Sequence, residues 1–308
     1  MAGVLIGFAI IGSVIAVGYI VGRTAILGPT ASTVLGRAAF FVFLPALLFS
    51  VMAEADLAVL FSALLPVSAI AAFVCIGVFI LVARLLWRRS AAPLTIGALA
   101  AGYVNSNNIG LPVAAYVIGQ PALVAPVLLF QLLVLAPIAL TVLDLATSGA
   151  LSWRRVLTQP VRNPLIIASV LGLVAALLGI DLPEPVMEPF RLLGAAAVPI
   201  VLFVFGLSLH GRKILEPGSG RRDVALVVVL KNLVMPLVAW AVGSMVFGLT
   251  EAALFAVVVL AALPTAQNVY TYAARYQVAM PLARDAALIT TIVAIPVLIV
   301  ITAFLAPV

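Results

Sequence analysis

The chain lacks most of what soluble enzymes are built from. Of its 308 residues one is cysteine and one is histidine, and Asp, Glu, Lys and Arg together make up 8%. A single thiol, Cys75, gives no disulfide framework and no thiol cluster for a metal. With His210 as the sole histidine, most catalytic templates have no residues to be made from. No phosphate-binding glycine loop is present, and neither a cofactor nor an enzymatic reaction is expected. The Ser and Thr residues scattered through apolar stretches read as groups that hold helices together rather than as nucleophiles.

What is present is apolar. Hydrophobic residues make up 66% of the chain and the mean hydropathy is +1.35, so its solvent is lipid. The net charge of +6 would suggest nucleic acid in a soluble protein. Here the cations lie between apolar stretches, where they report topology, and no nucleic-acid partner is expected. A membrane helix needs about 20 apolar residues. Windows of that length place spans near 2–22, 31–53, 59–83, 93–119, 121–146, 162–180, 187–210, 223–248, 250–276 and 281–306. The first apolar stretch has no positive charge before it, unlike a signal peptide, and reads as a retained helix.

The expected fold class is therefore an all-α polytopic membrane protein of ten spans. They fall into two sets of five, 1–149 and 162–308, about a short cytoplasmic link at 150–161. With the N-terminus outside, the inward connections hold Arg23, Arg37, Arg84, Arg88, Arg89, Arg154, Arg155, Arg162, Arg212, Lys213, Arg221, Arg222, Arg275 and Arg284. Only Arg191 and Lys231 fall elsewhere, so the positive-inside rule puts both termini outside a bacterial inner membrane. The outward connections carry acids instead: Glu54, Asp56, Asp181, Glu184, Glu188 and Glu251.

The halves also echo each other. Leu35-Gly36 matches Leu193-Gly194 at an offset of 158, and an offset of 160 brings Asn108 onto Asn268, Tyr116 onto Tyr276 and Pro121 onto Pro281. Because each half has an odd number of spans, the second must enter the membrane with opposite polarity, which makes an inverted repeat.

The fourth span carries Asn105, Ser106, Asn107 and Asn108 at a depth near the middle of the bilayer, followed by Gly110 and Pro112. Pro112 cannot donate to the Asn108 carbonyl, so a helix break is expected there. The ninth span repeats the device with Pro264, Thr265, Gln267 and Asn268. Broken helices survive in a membrane only where freed backbone is buried in protein or lines a cavity. Two breaks at matching depth point to a carrier's binding site, and half-helix N-termini expected near Ile109 and Val269 suit a carboxylate. Lys231 lies eight residues past Asp223, an intramembrane cation that holds an anionic substrate or swaps partners during transport, or else snorkels to the cytoplasmic surface or packs against carbonyls. No Asp, Glu or His lies deep in a span, which argues against ion coupling.

The stretches Asn105-Ser106-Asn107-Asn108-Ile109-Gly110-Leu111-Pro112 and Leu263-Pro264-Thr265-Ala266-Gln267-Asn268 resemble the two crossover segments of the auxin efflux carrier family, whose bacterial members include carriers assigned to malonate and malate. The likeness spans the whole chain. It implies a scaffold from spans 1, 2, 6 and 7, and a transporter domain from spans 3–5 and 8–10. It also implies crossing spans 4 and 9, an elevator-like cycle and a homodimer. Asn105, Asn108 and Asn268 are the substrate contacts carried over from the resemblance. The short midpoint link and the unequal placement of Pro112 and Pro264 depart from the family pattern. The expected activity is transport of small organic anions by uniport or exchange, with membrane lipid as the surrounding partner. The rival reading is a sodium-coupled organic-anion symporter of the bile-acid type, which lacks a carboxylate here to hold the cation.

Overall fold

A computed structural model describes residues 2–54, 63–148, 164–180, 182–208, 215 and 220–307. The link expected at 150–161 lies outside these residues, as do Asp56, Arg154, Arg155, Arg162, Asp181, His210, Arg212 and Lys213. Every element is helical: α1 (Ala2–Thr24), α2 (Ala31–Ala53), α3 (Leu64–Leu85), α4 (Ala91–Gly102), α5 (106–118), α6 (Pro121–Thr147), α7 (Pro164–Leu177), α8 (Glu184–Ser208), α9 (Arg221–Val246), α10 (Glu251–Ala261), α11 (Gln267–Tyr276) and α12 (Met280–Leu305). Among the described residues there is no strand, only a single antiparallel bridge between Val104 and Thr265.

Six of these helices, α2, α3, α6, α8, α9 and α12, are long and apolar enough to cross a membrane. Their outer faces carry large exposed apolar side chains such as Leu81, Ile138, Leu192, Leu233, Ile295 and Phe304, a surface that only lipid accommodates at this extent. The short α4 and α10 are the first pieces of interrupted stretches that resume as α5 and α11.

Small residues set the closest packing. A Cβ on Gly18 of α1 would lie 2.3 Å from the Phe203 carbonyl oxygen of α8, and one on Gly206 would lie 2.2 Å from that of Ile15. Gly172 of α7 meets the Phe49 carbonyl of α2 in the same way, and Gly194 of α8 meets Leu47 of α2. Close backbone approach of this kind is how membrane helices gain dispersion energy without a hydrophobic driving force. It joins α1, α2, α7 and α8 into one block. The helices α3, α4, α6 and α9 to α12 pack on one another in a second, where the Phe79 ring of α3 rests over Gly97 of α4. Helix α5 touches both blocks.

Proline shapes the helices in a less obvious way. Four of the six π-helical turns among the described residues, Ala39–Phe43, Ser106–Gly110, Gln131–Leu135 and Leu230–Val234, end two residues before a proline: Pro45, Pro112, Pro137 and Pro236. A proline ring clashes with the carbonyl four residues back. Widening the preceding turn to an i to i+5 pattern, as in the Leu111 N–H donating to the Ser106 carbonyl, relieves that clash without ending the helix.

Candidate functional site

The interruption in the fourth span falls at Tyr103–Asn105, not at Pro112. Pro112 and Gly110 are buried inside the continuous helix α5, where the π turn accommodates the missing N–H. Pro264 does lie in the interruption of the ninth span, between the end of α10 at Ala261 and the start of α11 at Gln267. The half-helix N-termini thus begin at Ser106 and Gln267, slightly earlier than the proline positions suggested.

The two interruptions meet. Asn105 N–H donates to the Pro264 carbonyl at 2.8 Å, and Ala266 N–H donates to the Tyr103 carbonyl at 3.0 Å, forming the bridge about Val104 and Thr265. In an unbroken helix the Ala261 carbonyl would accept from Thr265 N–H. Here Thr265 N–H donates to Thr290 Oγ1 of α12 at 3.0 Å, while Thr265 Oγ1 donates to the Ala100 carbonyl of α4 at 2.7 Å. These freed groups are taken by the opposite break or by a side chain beside it, as buried backbone requires. Residues 96–107 and 255–266 are buried without exception, so both breaks lie wholly within protein.

Around this crossing the amides converge. Asn105 caps α5, its Oδ1 accepting from Asn108 N–H at 3.2 Å. Asn108 Nδ2 donates to Gln267 Oε1 at 3.1 Å and so ties the start of α5 to the start of α11. Asn105 Nδ2 and Asn107 Oδ1 are buried with no protein partner. Asn268 lies within hydrogen-bonding reach of the buried Tyr103 hydroxyl, whose ring packs edge-on against Tyr272. Asn108, Gln267 and Asn268 are partly accessible, whereas Asn105, Ser106, Asn107 and Thr265 are buried. Two N-terminal helix ends flanked by amide donors are an arrangement whose dipoles suit an anion.

Lys231 stands apart from that cluster. It is fully buried rather than snorkelling, and Nζ donates to the Ala261 carbonyl at 2.9 Å and to Met235 Sδ at 2.8 Å. It meets the carbonyl end of α10, not the amide ends of α5 and α11. Of the expected site residues, Asn105, Ser106, Asn107, Asn108, Thr265, Gln267 and Asn268 gather at the crossing, and Lys231 sits behind it.

Other polar residues near the crossing gave no sequence signal of their own. Gln131 of α6 donates through Nε2 to Ser106 Oγ at 2.6 Å, and Asn232 Nδ2 donates to the Thr290 carbonyl at 3.0 Å. One signal did exist. Gln131, Lys231 and Asn232 each sit in a π turn ahead of a proline, and such turns recur at functional sites. The acids lie nearer helix ends: Asp144 accepts from the Tyr276 hydroxyl at 2.7 Å, Asp223 pairs with Arg89 at 2.5 Å, and Asp285 pairs with Arg284 at 2.9 Å.

A crossing of two interrupted membrane helices points to a transport protein, and comparison with known proteins agrees. The sequence pattern of the family described as "Membrane transport protein" matches residues 4–152 and 148–302, nearly the whole chain, and the chain belongs to that family. This is the family that the auxin-carrier resemblance anticipated. The chain is also similar to the "Putative malonate transporter" of Rhizobium meliloti (strain 1021), being 24% identical to it over 262 residues, which cover 83% of this chain and 81% of that protein. The protein is a multi-pass membrane transporter and not an enzyme.

Proposed function

We propose that this transporter is a secondary carrier of small carboxylates, and that the substrate's carboxylate binds between the N-terminal ends of α5 and α11. One observation carries the reading: the Asn108–Gln267 hydrogen bond that sets the two helix starts side by side. Their dipoles and the amide donors beside them favour an anion, and neutral amides keep the site from binding it too tightly to release. Asn105 Nδ2, Asn108 and Asn268 are the donors that contact the substrate. Thr265 and Ser106 hold the crossing together through Ala100 and Gln131. The similar malonate carrier favours a dicarboxylate of that size.

The proposal includes ten spans in two inverted five-span repeats. At the offset of 160, residues 103–105 correspond to 263–265, so the bridge joins each break almost to its own counterpart. A two-fold axis in the membrane plane produces such a contact. The α1, α2, α7 and α8 block is the scaffold, and the block carrying the crossing moves against it in an elevator-like cycle, by uniport or exchange. The close glycine contacts inside the scaffold suit a rigid partner to that motion and a homodimer built on it. The charge pattern supports an orientation with both termini outside, and the likeness to a Rhizobium transporter supports a bacterial inner membrane.

Purified protein in proteoliposomes, tested against a panel of labelled mono- and dicarboxylates, is expected to show saturable uptake of a small dicarboxylate. Uptake of no carboxylate, with the protein intact, overturns the proposal.

A further inference from the structure

The crossing has two chemically opposite sides. On one side lie the amide ends of α5 and α11. On the other lie the carbonyl ends of α4 and α10, at Gly102 and Ala261. Both of those residues line a cavity of about 10 Å³, together with Met235, Gln131 and Ser68. That is room for roughly one water-sized guest. Two buried oxygens on the cavity's lining residues have no protein partner: Gln131 Oε1, its amide nitrogen being engaged with Ser106, and Ser68 Oγ. Gln131 is 1% exposed and Ser68 is 5% exposed.

Half-helix carbonyl ends and unwound carbonyls are where carriers coordinate a coupling cation, and neutral side-chain oxygens complete such sites. This site already has a cation beside it. The two atoms that receive hydrogen bonds from Lys231 Nζ belong to Ala261 and Met235, both lining the same cavity. Among the described residues Nζ has no acidic partner, so the negative dipole end of α10 and the Ala261 carbonyl are what hold the ammonium.

We propose that Lys231 is a tethered substitute for a coupling sodium ion: its ammonium neutralises the carbonyl side of the crossing, and removing it uncovers a monovalent-cation site formed by Ala261, Gln131 and Ser68. The proposal rests on the carrier reading and deepens it, because it gives the uniport or exchange proposed above a structural cause. Truncating the side chain removes one positive charge and leaves the carbonyl end of α10 and the two side-chain oxygens free to take an ion of like charge.

The test uses the whole protein in two assays. In proteoliposomes, malonate flux by the wild type is expected to be equal in sodium and in choline, whereas Lys231→Ala runs about tenfold slower in choline than in sodium. In detergent, radiolabelled sodium alone is expected to bind saturably to Lys231→Ala, not to the wild type, and not to Lys231→Ala combined with Gln131→Leu. Lys231→Ser serves in the same assays if the alanine variant does not stay monodisperse. Sodium-dependent flux by the wild type, flux by the variant that ignores the cation, or a monodisperse variant that binds no sodium each overturns the proposal. If the wild type carries no carboxylate, the transport reading falls, and the sodium-binding assay still decides this one.

Discussion

The two breaks are counterparts in the sequence and unlike in construction. The first, at Tyr103–Asn105, is made of residues with hydrogen-bonding capacity to spare. Asn105 caps α5 with its oxygen and keeps its nitrogen unpaired, and Asn107 keeps an oxygen unpaired. The second, around Pro264, is braced. Thr265 spends both its N–H and its hydroxyl on neighbouring helices, and Lys231 holds the Ala261 carbonyl. On the proposed carrier reading, the first break offers groups to the ligand and the second keeps the backbone from slipping. Substitutions in the first break are accordingly expected to alter flux, and those in the second to alter stability as well.

The largest effect is expected from Asn105→Asp. It preserves the capping oxygen but sets a negative charge at the proposed anion site, so malonate flux should drop about 100-fold while the protein remains monodisperse with near-native thermal unfolding. Equal losses of flux and stability would erase the division. Next comes Thr265→Val, which keeps the side chain's volume and leaves the buried Ala100 carbonyl without its donor. Thermal unfolding in detergent should show a loss of about 2 kcal/mol. Third, Pro264→Ala lets the ninth span rewind and should slow flux about tenfold, whereas Pro112→Ala, inside a helix that the π turn already accommodates, should leave it within about twofold. Similar effects at both prolines would mean that the breaks are built alike. The smallest effect belongs to Gly110→Ala. Its new methyl would lie 3.0 Å from Leu263 Cδ1, the end of a side chain that can shift by a few tenths of an ångström, and should cost no more than about 1 kcal/mol.

Much of the site was legible because membrane physics makes polar residues in apolar spans conspicuous. Asn105 to Asn108 and Thr265 to Asn268 have no alternative to burial in protein, and both stretches lie at the crossing. The position of the first break was not legible. Reading Pro112 as a breaker assumed an α-helical ladder, and the chain instead widened the turn ahead of the proline, as it does before Pro45, Pro137 and Pro236. The burial of Lys231 was equally hidden. Eight residues from Asp223 along one helix says nothing of α3, α4 and α12, which pack against the turn that carries it, and that packing decides between snorkelling and burial. Gln131 and Thr290 are single polar residues in apolar helices, and their role exists only through contacts with Ser106 and Thr265.

That the two breaks form one anion site is tested most directly by a double-mutant cycle on Asn108 and Gln267, read as malonate kcat/KM in proteoliposomes. Each alanine substitution should slow transport about tenfold, and the double variant should be little worse than either single one, because both act on the same bound carboxylate. Effects that multiply, or single variants that transport as the wild type does, would contradict a shared site.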